Sequence, residues 1–166
     1  MTSRRYNSAG ISHAQSFIIF GGGSGKSTEI ITEQGVSAGP EMPEAVFFQA
    51  IAGVNATTSI LTGGDTKVPL TISSAKTWFF NHVSQQFQAG PSLITGRNRH
   101  AAAKIQDHIT MEVIVAVVGG TSKIGGILSW EIDSTELLFN GESKWQQGKN
   151  HVFASFVAVH SFSNMR

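Results

Sequence analysis

The sequence predicts an all-β fold, and three observations support this prediction. Short segments rich in β-branched and aromatic residues recur along the chain and are bounded by glycine or proline. No segment has a convincing period of 3.6 residues, although 43–52 and 92–105 are long enough to contain a helix. Glycine pairs or triplets follow apolar segments, as is typical of turns between the strands of a sandwich, barrel or propeller. The predicted strands are 17–20, 45–52, 57–62, 77–81, 111–118, 136–139 and 152–160.

The segment 111–118 indicates that sheets are stacked on one another. After Glu112 it is apolar on both faces of a strand, because Val113, Val115 and Val117 alternate with other aliphatic residues. A strand that is apolar on both faces is buried on both faces. This pattern favours several packed sheets over one solvated sheet.

Composition excludes several functional classes. A chain of 166 residues corresponds to one domain or to part of a larger one. Twelve Lys and Arg residues against eleven Asp and Glu give a net charge of +1, so we expect no nucleic-acid partner. The absence of cysteine excludes disulfides, thiolate metal sites and cysteine nucleophiles. No apolar run is long enough to span a membrane, so we expect no membrane partner.

The N-terminal residues do not follow the pattern of a signal peptide. We therefore expect an intracellular, cytoplasmic location. The composition itself does not indicate the compartment. The glycosylation pattern at Asn55 is then expected to be unused, since three-residue matches are common by chance.

Three features recur in the same order with a period near 50 residues. They are a glycine pair after an apolar strand, a polar segment ending in glutamate, and a glycine that follows a tryptophan or its substitute. From Gly39 to Gly90 is 51 residues, and from Gly90 to Gly148 is 58 residues. Ordered recurrence of this kind predicts a repeat architecture. The repeated residues are Gly22, Gly23, Glu29, Gly63, Gly64, Gly119, Gly120 and Glu136.

The best copy, residues 90–148, resembles the kelch repeat. It has Arg97 after a glycine, then His100, the glycine pair, the Ser-Thr-Glu segment, and Trp145 before the closing glycine. The resemblance extends over about residues 16–160, with Phe87 and Val36 in place of the tryptophan in the other two copies. It implies a β-propeller, in which each repeat is a four-stranded antiparallel blade around a central channel. His100, the glycine pairs, the glutamates and Trp145 would then have structural roles.

The repeats divide the chain into about three blades, whereas closed propellers typically have 4–8. The chain is therefore expected to be a segment of a longer propeller; the alternatives are a six-bladed ring completed by two chains, and an open stack. The predicted parts are a tail over 1–15, a partial blade over 16–39, blades over 40–90 and 91–148, a closing or next-blade strand over 149–160, and a tail over 161–166.

The sequence offers little that indicates an enzyme. Residues 21–28 resemble a phosphate-binding loop, but Phe20 replaces the first required glycine and a strand is predicted to follow. Nucleotide hydrolysis would rest on Lys26 and Ser27 alone, and a glycine-rich hairpin is favoured. The six histidines have no recognised ligand spacing, and no nucleophile elbow is present. We expect no enzyme activity, no metal and no cofactor.

Kelch-type propellers include copper-radical galactose oxidase, whose cofactor joins a cysteine to a tyrosine. That chemistry is excluded here, because the chain has no cysteine and Tyr6 is its one tyrosine.

The resemblance implies a module that binds a protein or peptide through loops on one propeller face. Kelch modules act as the substrate-recognition part of ubiquitin ligases or bind actin. The predicted partner-binding residues are Arg97, Arg99, Ile127, Leu128 and Trp130. The alternatives are that Trp130 packs on its own blade and that Arg97 forms an internal ion pair with a glutamate. An alternative function is self-assembly into a homo-oligomer through open blade faces, and a third is a carbohydrate-active propeller.

Overall fold

The computed structural model describes residues 4–66, 71–106, 112–125 and 128–148. These ranges form strands and one short 3₁₀ turn (Gly22–Ser24), and they contain no α-helix, so the predicted all-β class is confirmed. None of their helical segments could span a membrane. The strands are β1 (Ala9–His13), β2 (Ser16–Phe20), β3 (Thr28–Thr32), β4 (Gly35–Ala38), β5 (Ala50–Gly53), β6 (Thr58–Thr62), β7 (Asp65–Thr66), β8 (Ile72–Ser73), β9 (Thr77–Asn81), β10 (Gln86–Ala89), β11 (Ala101–Gln106), β12 (Val113–Val118), β13 (Thr121–Ile124), β14 (Leu128–Glu131), β15 (Thr135–Phe139) and β16 (Gln146–Gln147).

The strands form three four-stranded antiparallel sheets that follow one another along the chain. The first sheet has the order β1-β2-β3-β4, the second β5-β6-β9-β10 and the third β11-β12-β15-β16. A two-stranded hairpin is inserted between the second and third strands of the last two sheets: β7–β8 in the second sheet and β13–β14 in the third. The first strands β1, β5 and β11 lie beside one another, so the sheets share one inner edge.

The first sheet is complete, which corrects the predicted N-terminal tail and partial blade. Ala9–His13 pairs with β2 in a continuous register from Ala9↔Phe20 to His13↔Ser16. This segment has a single β-branched apolar residue, Ile11, and it is a strand because of its pairing rather than its propensity. A C-terminal strand is therefore not needed to complete this sheet, and the predicted strand over 152–160 lies outside the described residues.

The predicted strand over 45–52 is also corrected. The strand begins only at Ala50, because Phe48 has a φ of 60°, which is incompatible with an extended chain. The preceding residues instead form the connection between the first and second sheets.

Two apolar layers hold the three sheets together. The first layer includes Ile18 and Phe20 of the first sheet and Leu61 and Phe80 of the second. The second layer includes Ile60 of the second sheet and Val115, Val117 and Leu138 of the third sheet. Trp145, in the connection between β15 and β16, belongs to the same layer. Met42 and Leu93, from the connections between sheets, complete the layers. Burial of such side chains contributes about 1.5–3 kcal/mol each.

The glycine pairs that follow the second strand of each sheet lie at the same end of the sheets, which we call the glycine face. It consists of the β2–β3, β6–β9 and β12–β15 connections and the segments that lead into β1, β5 and β11. Gly64 and Gly120 each have a φ of +96°, and a Cβ at Gly120 would lie 2.5 Å from the carbonyl oxygen of Asn98. Glycine is required here by both the left-handed backbone and the close approach of a neighbouring chain.

Candidate protein-interaction site

Asn7, Phe48 and Arg99 occupy equivalent positions on the glycine face, each two residues before the first strand of a sheet. Each has a positive φ, of 58°, 60° and 55°. The amide of Phe48 donates to the carbonyl of Asn7 at 2.8 Å, and that of Arg99 donates to the carbonyl of Phe48 at 3.0 Å. Positive φ is strained in a bulky residue such as Phe48, and the hydrogen bonds between repeats hold it in place.

Arg99 is exposed at this face, as contact with a partner requires. Its guanidinium carbon lies 4.4 Å from the centre of the Phe48 ring. This cation–π contact orients the guanidinium at the surface.

The structure does not place Arg97 at the surface, so the prediction that it contacts a partner is wrong. Its side chain is fully buried and forms an ion pair with Glu136. Its guanidinium also donates to the carbonyl oxygens of Gly119 at 2.9 Å and Ser134 at 3.0 Å. Glu136 in turn accepts the amides of Ile94 and Thr95. Arg97 therefore joins the glycine pair to the third strand of its own sheet. Its ion pair with Glu136 is the internal pairing with a glutamate that was the alternative to partner binding.

The first repeat has the same arrangement, built from Arg5 and Glu29. Arg5 donates to the carbonyl oxygens of Gly21 and Ser27, each at 2.9 Å, and its Nε lies 3.4 Å from a carboxylate oxygen of Glu29. Arg5 is a structural residue that the sequence prediction missed, because it falls in the predicted tail. The spacing to the first strand of the sheet could have revealed this role, because Arg5 lies four residues before Ala9, just as Arg97 lies four residues before Ala101.

His100 is buried and contacts the neighbouring sheet. Its Nε2 lies 2.8 Å from the hydroxyl of Thr62, in the neighbouring sheet. Burial, and next the charge of Arg97, lower the pKa of His100 to about 3, so the ring is neutral near pH 7.

The two inserted hairpins are held against each other by a buried polar network. Ser73 of β8 donates to Asp65 of β7 at 2.9 Å. The Ser73 hydroxyl oxygen accepts the backbone amide of Lys123 in β13 at 2.8 Å and the side-chain amide of Asn98 at 2.7 Å. The ammonium group of Lys123 lies 3.4 Å from Asp65. A network with this many satisfied partners fixes the hairpins relative to each other.

Asn98 connects this network to the inner edge of the glycine face. It exchanges two backbone hydrogen bonds with Thr121, at 2.8 and 2.9 Å, and its side-chain oxygen accepts the Thr121 hydroxyl at 2.9 Å. Asn98 precedes Arg99 directly. The hairpin β13–β14 and the guanidinium of Arg99 are therefore anchored through adjacent residues.

The hairpin β13–β14 exposes large apolar side chains. Ile124 is 58% exposed, Leu128 66% and Trp130 44%. The register pairs Ile124 with Leu128 and Ser122 with Trp130, which places these apolar side chains on one face of the hairpin. Trp130 therefore keeps nearly half of its surface exposed. Ile127 lies outside the described residues.

Three further exposed apolar residues of the glycine face were not predicted from sequence. Tyr6, Ile72 and Ile124 each have more than two fifths of their surface exposed. Ile72 lies on the neighbouring hairpin β7–β8, and Tyr6 precedes Asn7. The exposed apolar residues thus belong to all three repeats: Tyr6 to the first, Ile72 to the second, and Ile124, with Leu128 and Trp130, to the third.

The glycine-rich segment 21–28 lacks the setting of a phosphate loop. It forms a 3₁₀ turn that leads into strand β3, as the sequence predicts, and not into a helix whose N-terminus could bind phosphate. The hydroxyl of Ser27 accepts a hydrogen bond from Arg5 at 3.0 Å. Across the described ranges, no three histidine or carboxylate side chains cluster as metal ligands would.

Comparison with known proteins identifies the fold alone. No protein-family model and no curated protein matches the chain. The solved structure of YjhT is similar with a TM-score of 0.73 and 12% sequence identity, over 87% of this chain and 50% of that one. The chain thus spans half the length of YjhT. In all, 137 chains of solved structures match, so the fold is common and does not by itself indicate a function.

Proposed function

We propose that the chain is a non-enzymatic protein-interaction module of kelch type, which binds a protein or peptide segment at the glycine face. The observation that carries this proposal is the exposure of Ile124, Leu128 and Trp130 on one side of hairpin β13–β14. Exposed apolar residues that are contiguous on a fixed element are typical of interaction sites.

The rigidity of this face supports the proposal. The hairpin is held by Ser73, Asp65 and Asn98 before any partner binds. A surface organised in advance loses little conformational entropy on binding, so more of the contact energy contributes to affinity. Tryptophan is also among the residues enriched in interaction hot spots.

The chemistry of the face defines the partner. Apolar side chains of an extended segment would pack on Ile124, Leu128 and Trp130, and a carboxylate would pair with Arg99. A ubiquitin-ligase substrate or an actin filament are two partners of kelch modules that could supply such a segment.

The kelch assignment is part of the proposal and is supported by the repeats. Glycine pairs, a threonine at the start of the third strand and a glycine after the fourth recur in each of the three sheets, with equivalent hydrogen bonds from Gly39 to Thr28, Gly90 to Thr77 and Gly148 to Thr135. The four-stranded antiparallel sheets, which follow one another along the chain, agree with propeller blades.

A displayed random-peptide library provides a direct test. Peptides selected on the wild-type chain should share apolar positions and an acidic residue. Binding should fall at least about tenfold, or 1.4 kcal/mol, when Ile124, Leu128 and Trp130 are all changed to serine. Arg99→Ala should weaken mainly the acidic peptides.

Val83→Ser is the matched control, because Val83 is exposed in the β9–β10 turn at the opposite end of the sheets. Peptides should bind this variant as they bind the wild type. Selection of peptides that bind the triple-serine variant equally well, or of none at all, would reject the proposed face.

A further inference from the structure

The Asn55-Ala56-Thr57 triplet lies in the turn between β5 and β6, and all three of its residues are exposed. It is the single Asn-x-Ser/Thr triplet in the sequence, and its middle residue is not proline. The turn is at the end of the sheets opposite the glycine face, because β5 runs away from that face and β6 returns to it. An enzyme could therefore reach the triplet without contact with the glycine face.

The side chain of Asn55 is hydrogen-bonded to the third residue of its own triplet. Its Oδ1 accepts the backbone amide of Thr57 at 2.9 Å and the Thr57 hydroxyl at 3.2 Å. This local arrangement is an Asx turn. Because a backbone amide can only donate, the accepting atom is the side-chain oxygen, which leaves the nitrogen Nδ2 on the other side of the group. Within the described residues, Nδ2 has no hydrogen-bond partner.

The two hydrogen bonds prepare Nδ2 for chemistry. An amide nitrogen is a weak nucleophile, because its lone pair is delocalised into the carbonyl group. Loss of a proton from Nδ2 would place negative charge on Oδ1, and both donors of Thr57 point at that oxygen. Hydrogen bonds to the charged form of a group favour that form. The Thr57 hydroxyl therefore contributes directly to the reactivity of Asn55.

The turn does not need the rest of the fold. The amides of Val54 and Asn55 donate to the carbonyl of Thr58 at 2.8 and 3.1 Å, so the turn is closed by hydrogen bonds among neighbouring residues. It can form in a chain that is still being synthesised. In the folded chain, Nε2 of His13 donates to the carbonyl of Ala56 at 2.9 Å. That contact holds the backbone of the turn and leaves Asn55 exposed.

We propose that Asn55 accepts an N-linked glycan, although matches to the triplet are common by chance. The donor is an oligosaccharide joined through a diphosphate to a membrane lipid. Nδ2 forms a bond to the anomeric carbon of the first sugar, and the bond from that carbon to the diphosphate oxygen breaks. The lipid diphosphate leaves, and Nδ2 gives one proton to a base of the transferase. The chain must then enter a compartment that contains this transferase, contrary to the cytoplasmic location expected from the sequence.

A glycan at Asn55 would cover the exposed apolar end of the second sheet. The amide of His82 donates to the carbonyl of Thr57 at 2.8 Å, which places the β9–β10 turn beside the triplet. Val83 in that turn is 75% exposed. A bulky, hydrated glycan next to this side chain makes the surface more polar and more soluble. The glycine face, at the opposite end, stays free to bind a partner.

Expression of the full chain in the secretory pathway of yeast, behind a secretion leader, tests the proposal. An Asn-Gly-Thr acceptor added after Arg166 reports that each chain has met the transferase. The mass of the wild type should show two glycans, both released by peptide N-glycosidase, with Asn55 converted to aspartate. Asn55→Gln should carry the glycan of the added acceptor alone. A wild-type chain glycosylated at the added acceptor alone would overturn the proposal.

Thr57→Val tests the role of the hydroxyl, because it keeps the size of the side chain and the backbone amide. It should lose the glycan at Asn55, and Thr57→Ser should retain it. Thr58→Val is the matched control, since it makes the same change one residue further on, and it should carry both glycans. Equal modification of Thr57→Val and wild type would overturn the role given to the Thr57 hydroxyl. The readout is a mass, so it is independent of the peptide-binding proposal.

Discussion

The guanidinium of Arg97 and the carboxylate of Glu136 form an ion pair in which both side chains are completely buried. The pair is tolerated because both groups have further hydrogen bonds, from Arg97 to Gly119 and to Glu136 from Ile94 and Thr95. The same pair recurs between Arg5 and Glu29, whereas the second repeat has Val46 and Trp78 at these positions. The fold of a repeat therefore does not depend on the charges themselves.

Glu136→Gln should lower the free energy of unfolding by about 3–5 kcal/mol, because it leaves the buried guanidinium of Arg97 without a counter-charge. The double variant Arg97→Met, Glu136→Leu should lose less than Glu136→Gln alone. Urea denaturation monitored by circular dichroism measures both. Equal or greater loss in the double variant would mean that the ion pair itself stabilises the sheet.

Stability should fall with acid because of His100. Its pKa is about 3 in the folded chain against 6.5 unfolded, so below pH 6.5 the unfolded chain binds the proton first. The loss should grow from pH 6.5 down to about pH 3 and reach on the order of 4–5 kcal/mol. The lowered pKa of His82, caused by burial and then by His13, acts in the same direction.

His100→Gln isolates this effect, because Gln49 occupies the equivalent position in the second repeat and donates to Phe20 at 2.9 Å. Unfolding free energies of both proteins at pH 7.5 and pH 4 are the measurement. The variant should lose less on acidification. Identical losses would assign the acid sensitivity to other groups.

Gly120→Ala should destabilise much more than Gly141→Ala. Both glycines have a positive φ, which costs an alanine about 1–2 kcal/mol. Only at Gly120 would the new Cβ also meet backbone, 2.5 Å from the Asn98 oxygen, whereas nothing lies within 4 Å at Gly141. We expect a further loss of about 1–3 kcal/mol at Gly120, measured by urea denaturation. Equal losses would show that the close approach is relieved by local movement.

Substitutions of Trp130 and Trp145 should separate binding from stability. Trp130→Ala should change the free energy of unfolding by only about 0.5 kcal/mol, since its exposed side chain lies on a surface hairpin. Trp145→Ala should cost about 3–5 kcal/mol, because it empties the layer between two sheets and removes a hydrogen bond to Pro91. Thermal and urea denaturation give both values. A large loss for Trp130→Ala would assign it a core role and weaken the proposed face.

Local patterns predicted the features that depend on local chemistry. The strand over 77–81 and the glycine turns follow from β-branched runs and left-handed backbone, and both are observed. Ala9–His13 was missed because its extended conformation comes from pairing with β2. Arg97 is buried and Trp130 is exposed. Which of the two is buried depends on contacts between residues distant in sequence, and composition and spacing do not specify such contacts.

The connection between the second and third strands differs in every repeat, whereas the strands on either side keep their register. It is a 3₁₀ turn in the first sheet and a two-stranded hairpin in the second and third. Each begins at a glycine pair and ends at a threonine, so its length and composition can change without altering the layers between sheets. Such a position suits the grafting of foreign loops, and new binding specificities could be engineered there on an unchanged framework.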